Sequence, residues 1–342
     1  MIRPGSTIPA VLMVLWACGI SIPSICQSPT TVKFCIDRKN KTFSTVSFSP
    51  YFPLPDHTGL GIRSNLLFGN WRIMGDIRSL YYPQYTWGLH GTPETDDRLM
   101  INYKYFRFYQ TFLRRIIGHL YAGIGYHLDA HVDMETNGDS LRLRAFTHYV
   151  FGTGHEHSVS SGMSLNALYD DRAGSGNYIH IAYRLNSHLL GSNTDWHSIY
   201  IDLRKYIPLS SAKGSTLGLW SYFWTAMKSP APYLDLPSIG WDPYQQRSAR
   251  GFPQNRFRGA SLLYGEAEYR SPYYMNGHLG FACFVNANSI SEPQANHFSY
   301  IHPAAGGGLR LKFPKITAAR IAIDCAFSDG YAGIYFNLGD TF

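Results

Sequence analysis

Four arginines and two glutamates fall within the 26 residues of ARGFPQNRFRGASLLYGEAEYRSPYY, Ala249 to Tyr274, among aromatic and small apolar side chains. Guanidinium and carboxylate groups can pair in a planar, bidentate way, and the pairing is strongest where water is partly excluded. In a water-soluble core such charges are costly unless paired, which makes a surface loop the plain alternative. From Leu262 onward, however, Glu266, Glu268 and Arg270 hold even positions, while Leu263, Gly265, Ala267 and Tyr269 hold odd ones. A period of two marks a strand with one polar and one apolar face. Other chemistry-bearing sets are weaker. His155 and His157 of GHEH lie in a Gly-flanked loop without a third ligand, so no metal site is expected. AGSGN at 173–177 lacks the Gly-x-Ser-x-Gly of a nucleophile elbow and suits a turn. Asp170 and Asp171 offer an acid–base pair, yet Asp170 with Arg172 reads more simply as an ion pair at a strand end. The expectation is a non-enzyme without cofactor or metal. A barrel esterase, phospholipase or protease is the enzymatic alternative, because a hydrated lumen can host acid–base residues.

The elements that must position these residues repeat the same period. In NYIHIAYRLNS, Ile179, Ile181, Tyr183 and Leu185 oppose His180, Ala182 and Arg184. In RIAIDCAF, Ile321, Ile323, Cys325 and Phe327 oppose Arg320, Ala322, Asp324 and Ala326, and in GLRLKF, Leu309 and Leu311 oppose Arg310 and Lys312. From Phe43 on, segments of about ten residues are separated by Gly, Pro, Asn and Asp, the spacing of an antiparallel membrane barrel. Starts are expected near Phe43, Gly59, Trp71, Arg98, Gly118, Ser140, Val159, Tyr178, Ser198, Ser215, Ser261, Gly277, Ala305, Arg320 and Gly333. Since bacterial barrels are almost always even, this predicts about 14 to 16 strands. Aromatics crowd strand ends at Tyr81, Tyr82, Tyr206, Tyr273 and Tyr274, as girdles do. A soluble sandwich also alternates, but with shorter strands and the apolar face inside. The segment Tyr222 to Phe257 breaks the rhythm, and loops of that length tend to be functional.

Composition agrees. Among 342 residues only 15% are charged, while 25 Tyr, 20 Phe and 7 Trp raise aromatics to 15%. The net charge of +7 is spread singly along strands, which argues against nucleic acid and for an anionic membrane surface. Residues 1–26 read as a signal peptide: Arg3, then the apolar IPAVLMVLWACGISI, then small residues before Gln27. Residues 27–42 are expected to form a short periplasmic segment, and 43–342 one barrel domain. Beyond the signal no apolar run approaches the roughly 18 residues of a spanning helix, so entry into a membrane requires a closed barrel. Cys35, Cys283 and Cys325 then form neither a disulfide framework nor a zinc spacing.

ARGFPQNRFRGASLLYGEAEYRSP resembles the sixth extracellular loop and following strand of the BamA/TamA outer-membrane assembly superfamily, known also as the bacterial surface antigen barrel. LNALYDDRAGSGNY, with Tyr169, Asp170 and Arg172, is similar to that family's Tyr-Asp-x-Arg strand end, and FNLGDTF to its terminal aromatic signature. The resemblance implies a loop folded back into the lumen, with Arg250 of Arg250-Gly251-Phe252 reaching acidic residues on the inner wall. On matching positions the partner is Glu268, with Asn286 standing where the family usually has Asp; Arg258 is a rival for the role of Arg250. Phe336, Leu338, Gly339 and Phe342 would close the barrel and signal to assembly machinery. Only about sixteen residues separate Gln27 from Phe43, so no POTRA domain is expected there. The implied function is outer-membrane protein assembly or insertion, or envelope biogenesis, in the outer membrane of a Gram-negative bacterium after secretory export. Lipid, lipopolysaccharide and other outer-membrane or periplasmic assembly proteins are the implied partners. The alternative is a passive pore or a structural barrel docking other envelope proteins.

Overall fold

The structure, a computed structural model, describes residues 30–37, 42–51, 58–89, 91, 98–137, 157–210, 214–227, 231–244, 247–292, 297–313 and 319–338. Its strands are β1 (Thr30–Asp37), β2 (Thr42–Tyr51), β3 (Thr58–Phe68), β4 (Trp71–Tyr81) and the three-residue β5 (Gln84–Thr86). There follow β6 (Leu99–Ile117), β7 (Leu120–Asn137), β8 (Ser158–Asp171), β9 (Asn177–Asn186), β10 (Trp196–Ser210) and β11 (Ser215–Met227). The last are β12 (Ser261–Arg270), β13 (Leu279–Ile290), β14 (His302–Phe313), β15 (Ala319–Ser328) and β16 (Tyr331–Leu338). All belong to one antiparallel sheet in sequence order, with β5 continuing the row of β4 against β6.

Burial inverts the arrangement of a soluble protein. On β13, Phe281, Cys283 and Val285 are exposed while Ala282, Phe284 and Asn286 are buried. On β9, Ile179, Ile181 and Leu185 face out, and His180, Ala182 and Arg184 face in. Polar groups gather inside and apolar ones outside, the reverse of what water selects and the pattern a barrel in hydrocarbon requires.

That the sheet curls into a barrel is visible in its filling. The segment between β11 and β12 lies against the inner faces of strands from both ends of the order: Asn255 on Gln84 of β5, Asp235 on Ser160 of β8, Arg250 on Asp324 of β15, and Gly251 on Tyr335 of β16. One stretch of chain can touch all four only if the sheet wraps round it. Ile239, Phe252 and Phe257 of the segment pack on Trp220, Tyr222 and Tyr264, so the loop brings its own small hydrophobic core into the lumen.

Three boundaries differ from the expectations. Thr30–Asp37 pairs with β2, so the sheet begins inside the stretch read as a periplasmic segment. Its alternation, Val32, Phe34 and Ile36 against Lys33, Cys35 and Asp37, is a strand signal in its own right. β11 runs to Met227, because the aromatic run from Tyr222 continues the ladder with β12 before the loop departs. The expected strand from Ser140 to Phe151 lies outside the described residues, and β7 pairs directly with β8. Residues 1–26, read as a signal peptide, also lie outside them.

Candidate functional site

The lumen loop is a folded-back ribbon. Ser238 bridges Arg258, and Trp241 bridges Arg247; Ile239 N–H donates to Phe257 O at 3.1 Å, and Gly259 N–H to Pro237 O at 3.1 Å. At its tip Ala249 (φ 52°) and Gly251 (φ 109°) flank Arg250, and this double left-handed turn throws the Arg250 side chain at the wall. Glycine is required at 251 for space as well as conformation, since a Cβ there would lie 2.8 Å from that of Ala304. The turn is then tied down. Gly251 N–H donates to Tyr335 Oη at 2.8 Å, Ser328 Oγ donates to Gly251 O at 2.7 Å, and Asn286 Nδ2 donates to Arg250 O at 2.9 Å.

Arg250 has no solvent exposure and meets three carboxylates that have none. Its Nη2 reaches Glu266 Oε1 at 2.5 Å and Glu268 Oε2 at 2.6 Å, and its Nη1 reaches Asp324 Oδ2 at 2.7 Å. Two further guanidinium groups balance the charge: Arg270 Nε on Glu268 Oε1 at 2.6 Å, and Arg310 Nη1 on Asp324 Oδ1 at 2.5 Å. Tyr264 Oη donates to the remaining oxygen of Glu266 at 2.5 Å, and the Arg250 guanidinium lies 3.4 Å from the centroid of Phe284. Three cations and three anions thus share one desolvated cluster, the condition under which a buried ion pair holds rather than repels its surroundings. Burial opposes the charge on Arg250, but Glu266, Glu268 and Asp324 outweigh it and raise its pKa. The inward glycines of β14 clear the floor: a Cβ at Gly308 would fall 2.1 Å from Asp324 Oδ1, and one at Gly306 2.5 Å from Phe284 Cζ.

The residues singled out from sequence take different places. Glu268 contacts Arg250, Arg270 and Arg310 together. Asn286 binds the Arg250 carbonyl and not its guanidinium, and the charge absent at 286 is supplied by Asp324, two strands further on. Arg258 makes no ion pair among the described residues; it donates to Tyr233 O at 2.8 Å, Leu236 O at 3.2 Å and Asn255 Oδ1 at 3.2 Å, organising the loop itself. Phe252 packs edge-on against Phe257, which stacks on His302 at 3.9 Å. Asp170 accepts two bonds from Arg172, both at 2.8 Å, and one from Arg72 of β4 at 2.9 Å. Tyr169, of opposite parity, sits by His119, away from that pair. Phe336 and Leu338 pair with Ile323 and Ile321 of β15, while Gly339, Phe342 and His155 lie outside the described residues.

Glu266, Asp324, Arg310 and Tyr335 complete the site without having been assigned to it. The first three stood on the inward parity of their strands, the one signal available. A second polar network lies under the other half of the loop. Asp129 accepts from Arg107 Nε at 3.0 Å, Arg184 Nη1 at 2.8 Å, Tyr105 Oη at 2.7 Å and Tyr109 Oη at 2.5 Å, while Arg107 also reaches Pro243 O at 2.9 Å. Tyr200 Oη donates to Asp242 of the loop at 2.6 Å. Chemically, the arrangement anchors a plug: it joins one loop to nearly every wall it touches.

No known family's sequence profile matches the chain, and no curated protein does. Solved structures do match: the crystal structure of BamA from Haemophilus ducreyi lacking POTRA domains 1-3 superposes with a TM-score of 0.55 at 13% identity, over 84% of this chain. The chain spans 63% of the length of that one. The likeness is one of fold, that of a BamA-like β-barrel.

Proposed function

We propose that this protein is an outer-membrane β-barrel of a Gram-negative bacterium, exported by its N-terminal signal, that takes part in outer-membrane protein assembly or insertion, or in envelope biogenesis. Membership of the BamA/TamA superfamily is part of the reading. It has no catalytic chemistry of its own, and its partners are outer-membrane lipid and lipopolysaccharide together with other outer-membrane or periplasmic assembly proteins.

The observation that carries the reading is the link between the lumen loop and the last strand. Among the described residues β16, Tyr331–Leu338, stands at one end of the strand order. Its inward tyrosines hold the loop, Tyr335 through Gly251 N–H and Tyr331 through Arg256 Nε at 2.5 Å. A loop locked to β12 and β15 by Arg250 therefore steadies the strand whose edge would exchange with a client. An unpaired edge in hydrocarbon is not tolerated, so a terminal strand must stay paired through any exchange, and holding it from inside keeps it in place while its partner changes. The barrel fold shared with BamA is in keeping with this use.

Photo-crosslinkers placed on β16, combined with depletion of the protein, test it. Crosslinks to nascent barrel proteins and accumulation of their unfolded forms are expected. A strain without the protein that assembles its outer membrane normally, with no crosslinks, would overturn the assembly role and leave a pore or docking barrel.

A further inference from the structure

Arg258 stands apart from the arginines around it. Arg107, Arg184 and Arg250 each have a carboxylate oxygen within 3.0 Å, as a buried cation needs. Arg258 is 2% exposed and has none among the described residues. Its acceptors are two carbonyls and the Asn255 amide, its Nε is buried without a hydrogen bond, and its guanidinium lies 4.9 Å from the Tyr233 ring centroid. Carbonyl dipoles and a ring face lessen the cost of that charge but do not neutralise it.

The side chain lines a cavity of ≈ 140 Å³ between the loop and the wall, together with Gln84, Tyr103, His131, Asp235 and Asn255. A water centre needs only about 10–15 Å³, so the space admits an ion larger than water. Tyr103, on β6, is 4% exposed and lines the same cavity, where its hydroxyl offers a second donor. Three carboxylates line the cavity: Asp129 is paired with Arg107 and Arg184, Asp242 lies 3.7 Å from Arg204, and Asp235 accepts from Ser160 Oγ at 2.6 Å with no cation in ion-pair contact among the described residues. Burial, with the neighbouring Asp129 adding, raises its pKa, which lowers its worth as a counter-charge.

We infer that this cavity binds a small inorganic anion, held by the Arg258 guanidinium and the Tyr103 hydroxyl, which fastens the lumen loop to β6. The anion supplies the missing negative charge and accepts from both donors at once. The loop is then held to the wall at two chemically different points, the carboxylates around Arg250 and an exchangeable ion at Arg258.

The full chain, folded in detergent, is heated in sodium chloride, sodium phosphate and sodium gluconate at matched ionic strength while tryptophan fluorescence is followed. The unfolding midpoint should rise saturably with chloride or phosphate and not with the bulky gluconate. Arg258→Gln should abolish the rise, and Tyr103→Phe should weaken the apparent affinity at least tenfold. An equal response to all three anions, or a native response in Arg258→Gln, overturns the site. Should Arg258→Gln fail to fold, Tyr103→Phe and bromide-soaked crystals of the native chain decide: an anomalous peak beside Arg258 supports the site, and an unshifted Tyr103→Phe without such a peak overturns it.

Discussion

Removing the Arg250 guanidinium leaves Glu266, Glu268 and Asp324 facing one another with two cations in place of three. Breaking a buried pair on one side costs about 3–5 kcal/mol, because the remaining charge stays desolvated. Arg250→Ala should therefore lower barrel stability by that order, seen as conversion of the compact, unboiled gel band at a lower temperature. Arg250→Lys should recover only part of the loss, since one ammonium cannot fork to three carboxylates. A second residue-scale effect concerns pH. Burial, then Asp129, raises the pKa of Asp235 above the ordinary carboxylate range. The folded chain thus keeps a proton that the unfolded chain has released, so this contribution to stability is whole below the unfolded pKa of about 4 and is lost as pH rises through the folded value. Asp235→Asn should flatten the fall in unfolding midpoint over that window; an unchanged slope would place the dependence elsewhere. Of these residues Glu268 was legible from parity and motif, whereas Asp324 was legible only as an inward residue. Its meeting with Arg250, 74 positions away in sequence, depends on how three strands register.

At the scale of elements, the orientation of each strand rests on two-residue alternation, and the cysteines give a direct reading of it. Cys283 and Cys325 are exposed on the outer face and pair in register through Gly307, one strand on either side of it. Two strand spacings of about 4.8 Å set them farther apart than the roughly 7 Å that a disulfide allows. In proteoliposomes both should react with a membrane-partitioning maleimide, resist a charged thiol reagent, and form no intramolecular disulfide under oxidation. Ready labelling by the charged reagent would mean that this face meets water. The elements read best from sequence were those with long clean alternation, such as β9 and β13. β1 has its alternation too, but over only eight residues, which gives it little contrast in the sequence. The end of β11 is masked in the sequence because its aromatic inward face, with Trp220 and Tyr222 buried, hides the period that polar residues would reveal.

For the whole molecule, the consequence of the loop is a lumen closed in the middle. Ile239, Phe252 and Phe257 fill the space between β10, β12 and the strands beyond, and the polar networks on both sides hold them there. The native barrel should show little single-channel conductance in planar bilayers. Deleting residues 236–256 should raise conductance several-fold while the unboiled protein still migrates as a folded barrel. Large native channels would show that the loop leaves the lumen readily and that the Arg250 cluster does not retain it.

Alternation, turn spacing and a long irregular segment are properties of the chain read a few residues at a time, because the strand period is local. The sequence by itself therefore determined an all-β chain, the residues that share a face along each strand, and the stretch that would carry the loop with Arg250. Tertiary structure alone decided that Glu266 and Asp324 join Glu268 around Arg250, that Asn286 holds a carbonyl, that Arg258 lines a cavity, and that Tyr335 ties the loop to β16. Each of these is a contact between segments far apart in the chain, and it exists only once strand register and closure of the sheet around the loop have brought them together.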